Sequence, residues 1–212
     1  MILKTKILIA ILTVFISCSS TGSKESPEST ESSIQNGDII FHTSKSNQSK
    51  AIQLATKSEY SHVGIIYIID GKNFVYEAVQ PVKLTPLNEW INRGLNQHYV
   101  IKRLKNSKNI LTNKTLKKMQ DIGEKYKGKD YDIYFDWSDE KIYCSELVWK
   151  IYKHGAGIEI GKLEELADFD LTNDIVKQKL KERYGDNIPL AEKVISPIQM
   201  YKSDVLEVVK QN

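Results

Sequence analysis

The clearest pattern in the chain is the run from His62 to Ile69 (HVGIIYII), which is almost continuously apolar. Such a run without polar alternation predicts a strand covered on both faces. Asp70-Gly71 follows it and is the strongest short hairpin signal in the sequence. Lys72 to Val79 then returns as a second strand. Shorter strand-like runs lie at Asp38–Phe41, Tyr99–Leu104 and Val205–Val209. Apolar residues at helical spacing mark Gln48–Lys57, Thr115–Tyr126 and Cys144–His154, and a more charged helix is predicted over Thr172–Tyr184. Gly155 reads as the C-cap of the third helix, and Ser196-Pro197 as an N-cap with proline at the first helical position. Strands joined by a hairpin rather than by alternating helices predict a mixed α+β domain.

The N-terminus has a different pattern. Lys4 and Lys6 precede an apolar stretch, Ile7 to Ile16, broken only by Thr13 and ending at Ser17-Cys18. That stretch is too short to cross a bilayer as a helix and fits a secretory signal. A small residue directly before Cys18, in FISC at 15–18, resembles the lipobox of bacterial lipoproteins; it implies cleavage before Cys18 and lipidation of its sulfur. The alternative is an ordinary signal peptide with an incidental cysteine. Residues 19–35 are Ser-, Thr- and Glu-rich with Ile34 as the one strongly apolar side chain, too little to fold on. The expected organisation is therefore a signal over 1–17, a lipidated cysteine and flexible tether over 18–36 reaching about 25 Å, and a folded domain over 37–212.

Composition narrows the classes. With 212 residues, 41% hydrophobic and 27% charged, the chain holds one ordinary core, and wholesale disorder and coiled-coil rods are excluded. A net charge of +3 without a basic, aromatic-interleaved stripe gives no sign of nucleic-acid binding. Removing 1–17 takes away two lysines and no acid, so part of that charge belongs to the signal. Two cysteines exclude a disulfide-stapled miniprotein and a four-cysteine zinc site. His42, His98 and His154 show no ligand spacing, no phosphate-binding glycine loop is present, and no metal or cofactor is expected.

The candidate chemistry rests on the second cysteine. Cys144 falls at the start of the third helix, where unsatisfied amides and the helix dipole favour a thiolate. It shares a stripe with Leu147, Val148 and Ile151 and so faces the domain. By itself that is also the setting of an inert buried cysteine. The hairpin adds the rest. A two-residue loop at Asp70-Gly71 pairs Ile69 with Lys72 and places Gly64 opposite Glu77. His62 lies two residues from Gly64, on the same face, and becomes the diagonal neighbour of Glu77, with Gly64 expected to leave open space beside them. An odd-length loop would put Glu77 on the other face. A carboxylate that orients an imidazole, plus a cysteine at a helix start, is the constellation of nucleophilic catalysis. Taken singly, His62 and Glu77 have ordinary structural readings as strand-end residues.

Six segments, GDIIF at 37–41, SHVGI at 61–65, YEA at 76–78, YFDWSD at 134–139, YCSEL at 143–147 and ISP at 195–197, together resemble the circularly permuted papain-like hydrolases of the YaeF/YiiX type, within the wider NlpC-like superfamily. The resemblance runs in order from about Gly37 to the C-terminus. It implies a papain-like fold with permuted chain order, the histidine hairpin before the cysteine helix, and a central antiparallel sheet packed by helices. It implies Cys144 as nucleophile, His62 as general base and acid, and Glu77 as the residue orienting His62. The backbone amide of Cys144 is a candidate oxyanion donor. Tyr60 and Tyr143 flank the pair and are candidates for cleft lining, although packed aromatics are the commoner reading. The segment Asp136–Asp139 has no evident chemistry beyond an ordered loop before the nucleophile.

The expected function is a thiol hydrolase, tethered to a membrane of the bacterial envelope, that cleaves an amide of a cell-wall peptide or small acylated amine. Two alternatives stay open: lipid or ester hydrolysis or acyl transfer on the same triad, and a non-catalytic envelope binding module. An apolar cleft would favour lipid-derived substrates, and a polar groove with a carboxylate-binding Arg or Lys would favour peptides.

Overall fold

The computed structural model describes residues 33–212. The signal, Cys18 and most of the tether lie outside the described residues. The elements are, in order, β1 (Ile39–His42), α1 (Asn47–Thr56), β2 (His62–Ile69), β3 (Lys72–Glu77), β4 (Lys83–Pro86), α2 (Leu87–Arg93), β5 (Val100–Leu104), α3 (Ser107–Ile110), α4 (Asn113–Glu124), α5 (Cys144–Ile151), β6 (Glu164–Glu165), α6 (Asp174–Tyr184), β7 (Lys193–Val194), α7 (Pro197–Tyr201) and β8 (Leu206–Gln211). Six strands form one antiparallel sheet in the order β4-β3-β2-β1-β5-β8. The central antiparallel sheet packed by helices is therefore present.

The hairpin turns as its sequence requires. Asp70 and Gly71 both take positive φ, 49° and 71°, and Ile69 pairs with Lys72, carrying the register outward to Ile65 opposite Tyr76. Both faces of β2 are covered. Val63, Ile65 and Tyr67 join the core under α5 with Leu147, Val148 and Ile151, while Ile66 joins Ile40, Val75, Ile101 and Trp90 of α2 on the other face. Asp38 fixes β1 to β5 through Arg103, whose Nε and a terminal nitrogen each donate at 2.7 Å to its carboxylate.

Three expectations change. Gly64 does not leave open space: a Cβ there would lie 2.4 Å from Val75 Cγ1 and 3.0 Å from the Tyr76 carbonyl, so the glycine is what lets β3 close over β2. Gly155 does not cap α5. The helix runs into a wider turn over Tyr152–Ala156 and is capped by Gly157 at φ 74°, while Gly155 admits α4, since a Cβ there would meet Met119 at 2.5 Å. The fold also takes hold before Gly37. Arg103 donates to the Ser33 carbonyl at 2.7 Å, Ile68 N–H donates to Asn36 Oδ1 at 2.7 Å, and Ile34 packs against the α2-side core. Among the described residues no helix is long and apolar enough to cross a membrane.

Candidate active site

Cys144 is the first residue of α5, and its N-cap is Tyr143. A segment about fifty residues further along the chain holds that helix start. Ser145 Oγ donates to the Ile195 carbonyl at 2.7 Å, and the Ile195 N–H donates to the Tyr143 hydroxyl at 3.1 Å. Lys150, one turn beyond Glu146, is buried. Its ammonium lies 2.7 Å from Glu146, donates at 2.8 Å to both Asp139 and the Ser138 carbonyl, and lies over the Trp137 ring. The segment 136–139, chemically silent in the sequence, is thus the bracket that fixes α5 from outside.

His62 opens β2 and Glu77 ends β3, on one face as the register requires. Glu77 Oε2 lies 2.6 Å from His62 Nε2. Glu77 is fully buried and collects more donors: Thr85 Oγ1 at 2.6 Å, Trp90 Nε1 at 2.9 Å and the Arg93 guanidinium. Burial alone would raise its pKa; the bonds from His62 and Thr85 and the charges of His62 and Arg93 hold it down at about 2. A carboxylate kept charged this way fixes the imidazole tautomer with the proton on Nε2, leaving Nδ1 for the sulfur.

On its other side His62 meets the Cys144 sulfur, and each group shifts the titration of the other. Burial works against charge on either partner. On His62, the sulfur and Glu77 outweigh it and push the pKa up to about 10. On Cys144, His62 and the N–H groups of Val63 and Ser145 outweigh it and hold the thiol below its usual range. The arrangement favours a thiolate–imidazolium pair with a carboxylate behind it, and Cys144 is not engaged in a disulfide.

Several site residues carried no sequence signal. Thr85, Trp90 and Arg93 come from β4 and α2, a short proline-flanked strand and a seven-residue helix without marked periodicity. Tyr131 lines the same cavity as Cys144 and its hydroxyl receives Gln48 Nε2 at 3.3 Å. His42, paired in register with His62, stacks on Trp90 at 3.8 Å between ring centroids, and burial beside His62 pushes it down to about 2, so it is neutral. Of the two tyrosines expected to line the cleft, Tyr143 does. Tyr60 does not: its ring stacks on Tyr201 at 4.3 Å, inside the core.

Two cavities meet at the triad. One runs between α1 and α6, is walled by Ala51, Ile52, Ala55, Phe169, Val176 and Leu180, and ends on Cys144. The other carries more polar side chains, His42, Ser44, Ser61, His62 and Arg93, beside Ile52, Ala78 and Val79. Gln48, Ile52 and Tyr131 line both and mark the junction.

Comparison with known proteins agrees with this geometry. Residues 33–210 match the model of a family described as permuted papain-like amidase enzymes, YaeF/YiiX, C92 family. The chain is 46% identical over 175 residues to a protein of Escherichia coli strain K12 named Uncharacterized protein YiiX, covering 82% of this chain and 85% of that one. It also superposes on a crystal structure described as the metalloprotein yiiX from Escherichia coli O157:H7, DUF1105, with a TM-score of 0.80 and 47% identity over 84% of this chain and 97% of the other. The hairpin that brings Glu77 to His62, and the later helix that brings Cys144 to both, therefore place this chain in the permuted papain-like amidase family of the YaeF/YiiX type.

Proposed function

We propose that the protein is an amidase working through an acyl-enzyme on Cys144. The observation that carries this is the line Glu77–His62–Cys144, with 2.6 Å between carboxylate and imidazole and a buried sulfur beside the imidazole. The thiolate attacks the amide carbonyl, forming the S–C bond. The His62 imidazolium gives its proton to the nitrogen as the C–N bond breaks. Water then attacks the thioester, losing its proton to His62, and restores the thiolate. The tetrahedral oxygen needs donors. The Cys144 N–H, first of its helix and outside the intrahelical ladder, and the Tyr131 hydroxyl are the groups assigned to it. The same triad would open an ester, so the nitrogen of the leaving group is part of the proposal.

Metalloprotein is the description of the Escherichia coli O157:H7 structure. In this chain no group of three or more His, Cys, Asp or Glu side chains among the described residues is placed to hold an ion, and His62 engages both Glu77 and Cys144. The donor set does not fit a metal at the triad, and no step is routed through one.

Iodoacetamide labelling tests the nucleophile. Labelling of the wild type should persist well below pH 8.5, the usual cysteine value, and fall only as pH drops through the lowered thiol pKa. In His62→Ala the midpoint should move up to 8.5 or above, because burial is then opposed only by the N–H groups of Val63 and Ser145. A wild-type midpoint near 8.5 that ignores the substitution would exclude an activated thiol.

The location proposed is the bacterial envelope, with the domain anchored by lipid on Cys18, supported by the basic–apolar–FISC order of the N-terminus. Mass spectrometry of the mature chain should show Cys18 as the first residue, carrying acyl groups. An unmodified Cys18 would refute the anchor.

A further inference from the structure

The triad sits at one end of the central sheet, where β2 begins and β3 ends; the chain joins the fold at the other end. Ser33, the first described residue, is held there by Arg103, and Asn36 accepts the Ile68 N–H where β2 finishes. Only 14 residues, 19–32, lie between Cys18 and Ser33, so the proposed anchor reaches the domain at this end. The surface around that point is basic. Residues 105–118 run from the end of β5 through α3 into α4, and they hold Lys105, Lys108, Lys114, Lys117 and Lys118 with no acid. All five are exposed. Lys117 pairs with Asp121, and the other four have no ion pair among the described residues. The whole chain nets only +3, so this one stretch carries more positive charge than the molecule has in surplus. The acids that border this end, Asp70, Asp204 and Glu207, are scattered rather than clustered. Beside the lysines lies an open groove floored by Ile34, Ile68, Leu111 and Leu116 and edged by Ser107 and Lys108. Ile69, next in the chain, is exposed. Ammonium groups around an apolar floor match the boundary between anionic headgroups and acyl chains.

We propose that this face, made by the end of β2, α3 and the start of α4, docks on an anionic phospholipid membrane. The proposal rests on the Cys18 anchor for the side on which the bilayer lies. His62 is six residues along β2 from Ile68, about 20 Å. Docking by this face therefore leaves the catalytic end turned toward water.

The test uses the mature chain, residues 18–212, carrying Cys18→Ser, so that no covalent lipid contributes. Flotation is measured with vesicles of phosphatidylcholine alone and of an equal mixture with phosphatidylglycerol. Binding is expected to the mixed vesicles only, and added salt should release it. Lys108→Gln and Lys114→Gln should each weaken it about fivefold, while Lys177→Gln on α6 should leave it unchanged. Iodoacetamide should label Cys144 as fast on vesicles as in solution, which also checks that each variant is folded. No binding, equal binding to both vesicles, or binding that ignores the α3–α4 lysines would overturn the proposal. Slower labelling on vesicles would show that the catalytic end docks instead. An unmodified Cys18 in the natural protein would refute the anchor and leave the vesicle result standing.

Discussion

Cys144→Ala should abolish amide hydrolysis, with kcat falling at least about 10⁴-fold, and no acyl adduct should form at any substrate concentration. The fold should survive. The sulfur sits in a desolvated position between α5 and the start of β2, and a methyl group there loses the pairing with His62 but no longer has charge to bury. The lost partner has its own readout. Burial opposes charge on His62, and without the sulfur only Glu77 acts against it, so the imidazole pKa should drop from about 10 toward its ordinary value of 6.5. Histidine NMR titration in the variant follows this directly. Activity within tenfold of wild type would end the covalent mechanism.

Glu77→Gln should cost both activity and stability, because the carboxylate serves both. It orients His62, and the amide, almost the same in shape, offers no charge to the imidazolium. A fall in kcat/KM of about 10²- to 10⁴-fold is expected, together with a rise in the Cys144 thiol pKa seen by labelling. Glu77 is also fully buried, and the variant leaves Arg93 and His62 without its charge, a change of the kind that costs about 3–5 kcal/mol when one partner of a buried pair is removed. Titration in the wild type gives an independent check. The folded-state pKa, about 2, lies below the ordinary 4.5, so the stability it adds is fully present above 4.5 and is lost as pH falls toward 2. That shift corresponds to about 3 kcal/mol. Wild type should therefore lose stability between pH 4.5 and 2 along a steeper slope than Glu77→Gln. Parallel slopes would show that Glu77 is not held ionised by the fold.

The sequence displayed the hairpin and its register because side chains alternate across a strand and a two-residue loop permits one pairing. From that register His62 and Glu77 fall on one face without any knowledge of the fold. The helix start at Cys144 was equally visible in its apolar stripe. What stayed hidden are the residues that arrive from elsewhere. Thr85, Trp90 and Arg93 sit on elements too short for periodicity to show, and their partner in space is a carboxylate in a different strand. Tyr131 lies in a loop between α4 and α5 and reaches the cavity at Cys144 only through tertiary packing. The expectation of space beside Gly64 failed for a related reason: a missing side chain marks room, and the sequence does not show that Val75 occupies it. The division into apolar and polar cavities likewise needs α1 and α6 to meet, and they are far apart in the chain.

The acidity of Cys144 has a consequence for the chain before it folds. Its thiolate is made by His62 from β2, by the Val63 amide and by the first turn of α5, groups that meet only in the assembled domain. An unfolded chain has an ordinary thiol that is fully open to reagents but nearly unreactive at pH 6. On the proposed mechanism the folded protein buries the same sulfur and makes it a nucleophile. Exposure and reactivity therefore run in opposite directions here, and the rate at which an alkylating reagent finds Cys144 in mild acid is a clock for the completion of folding.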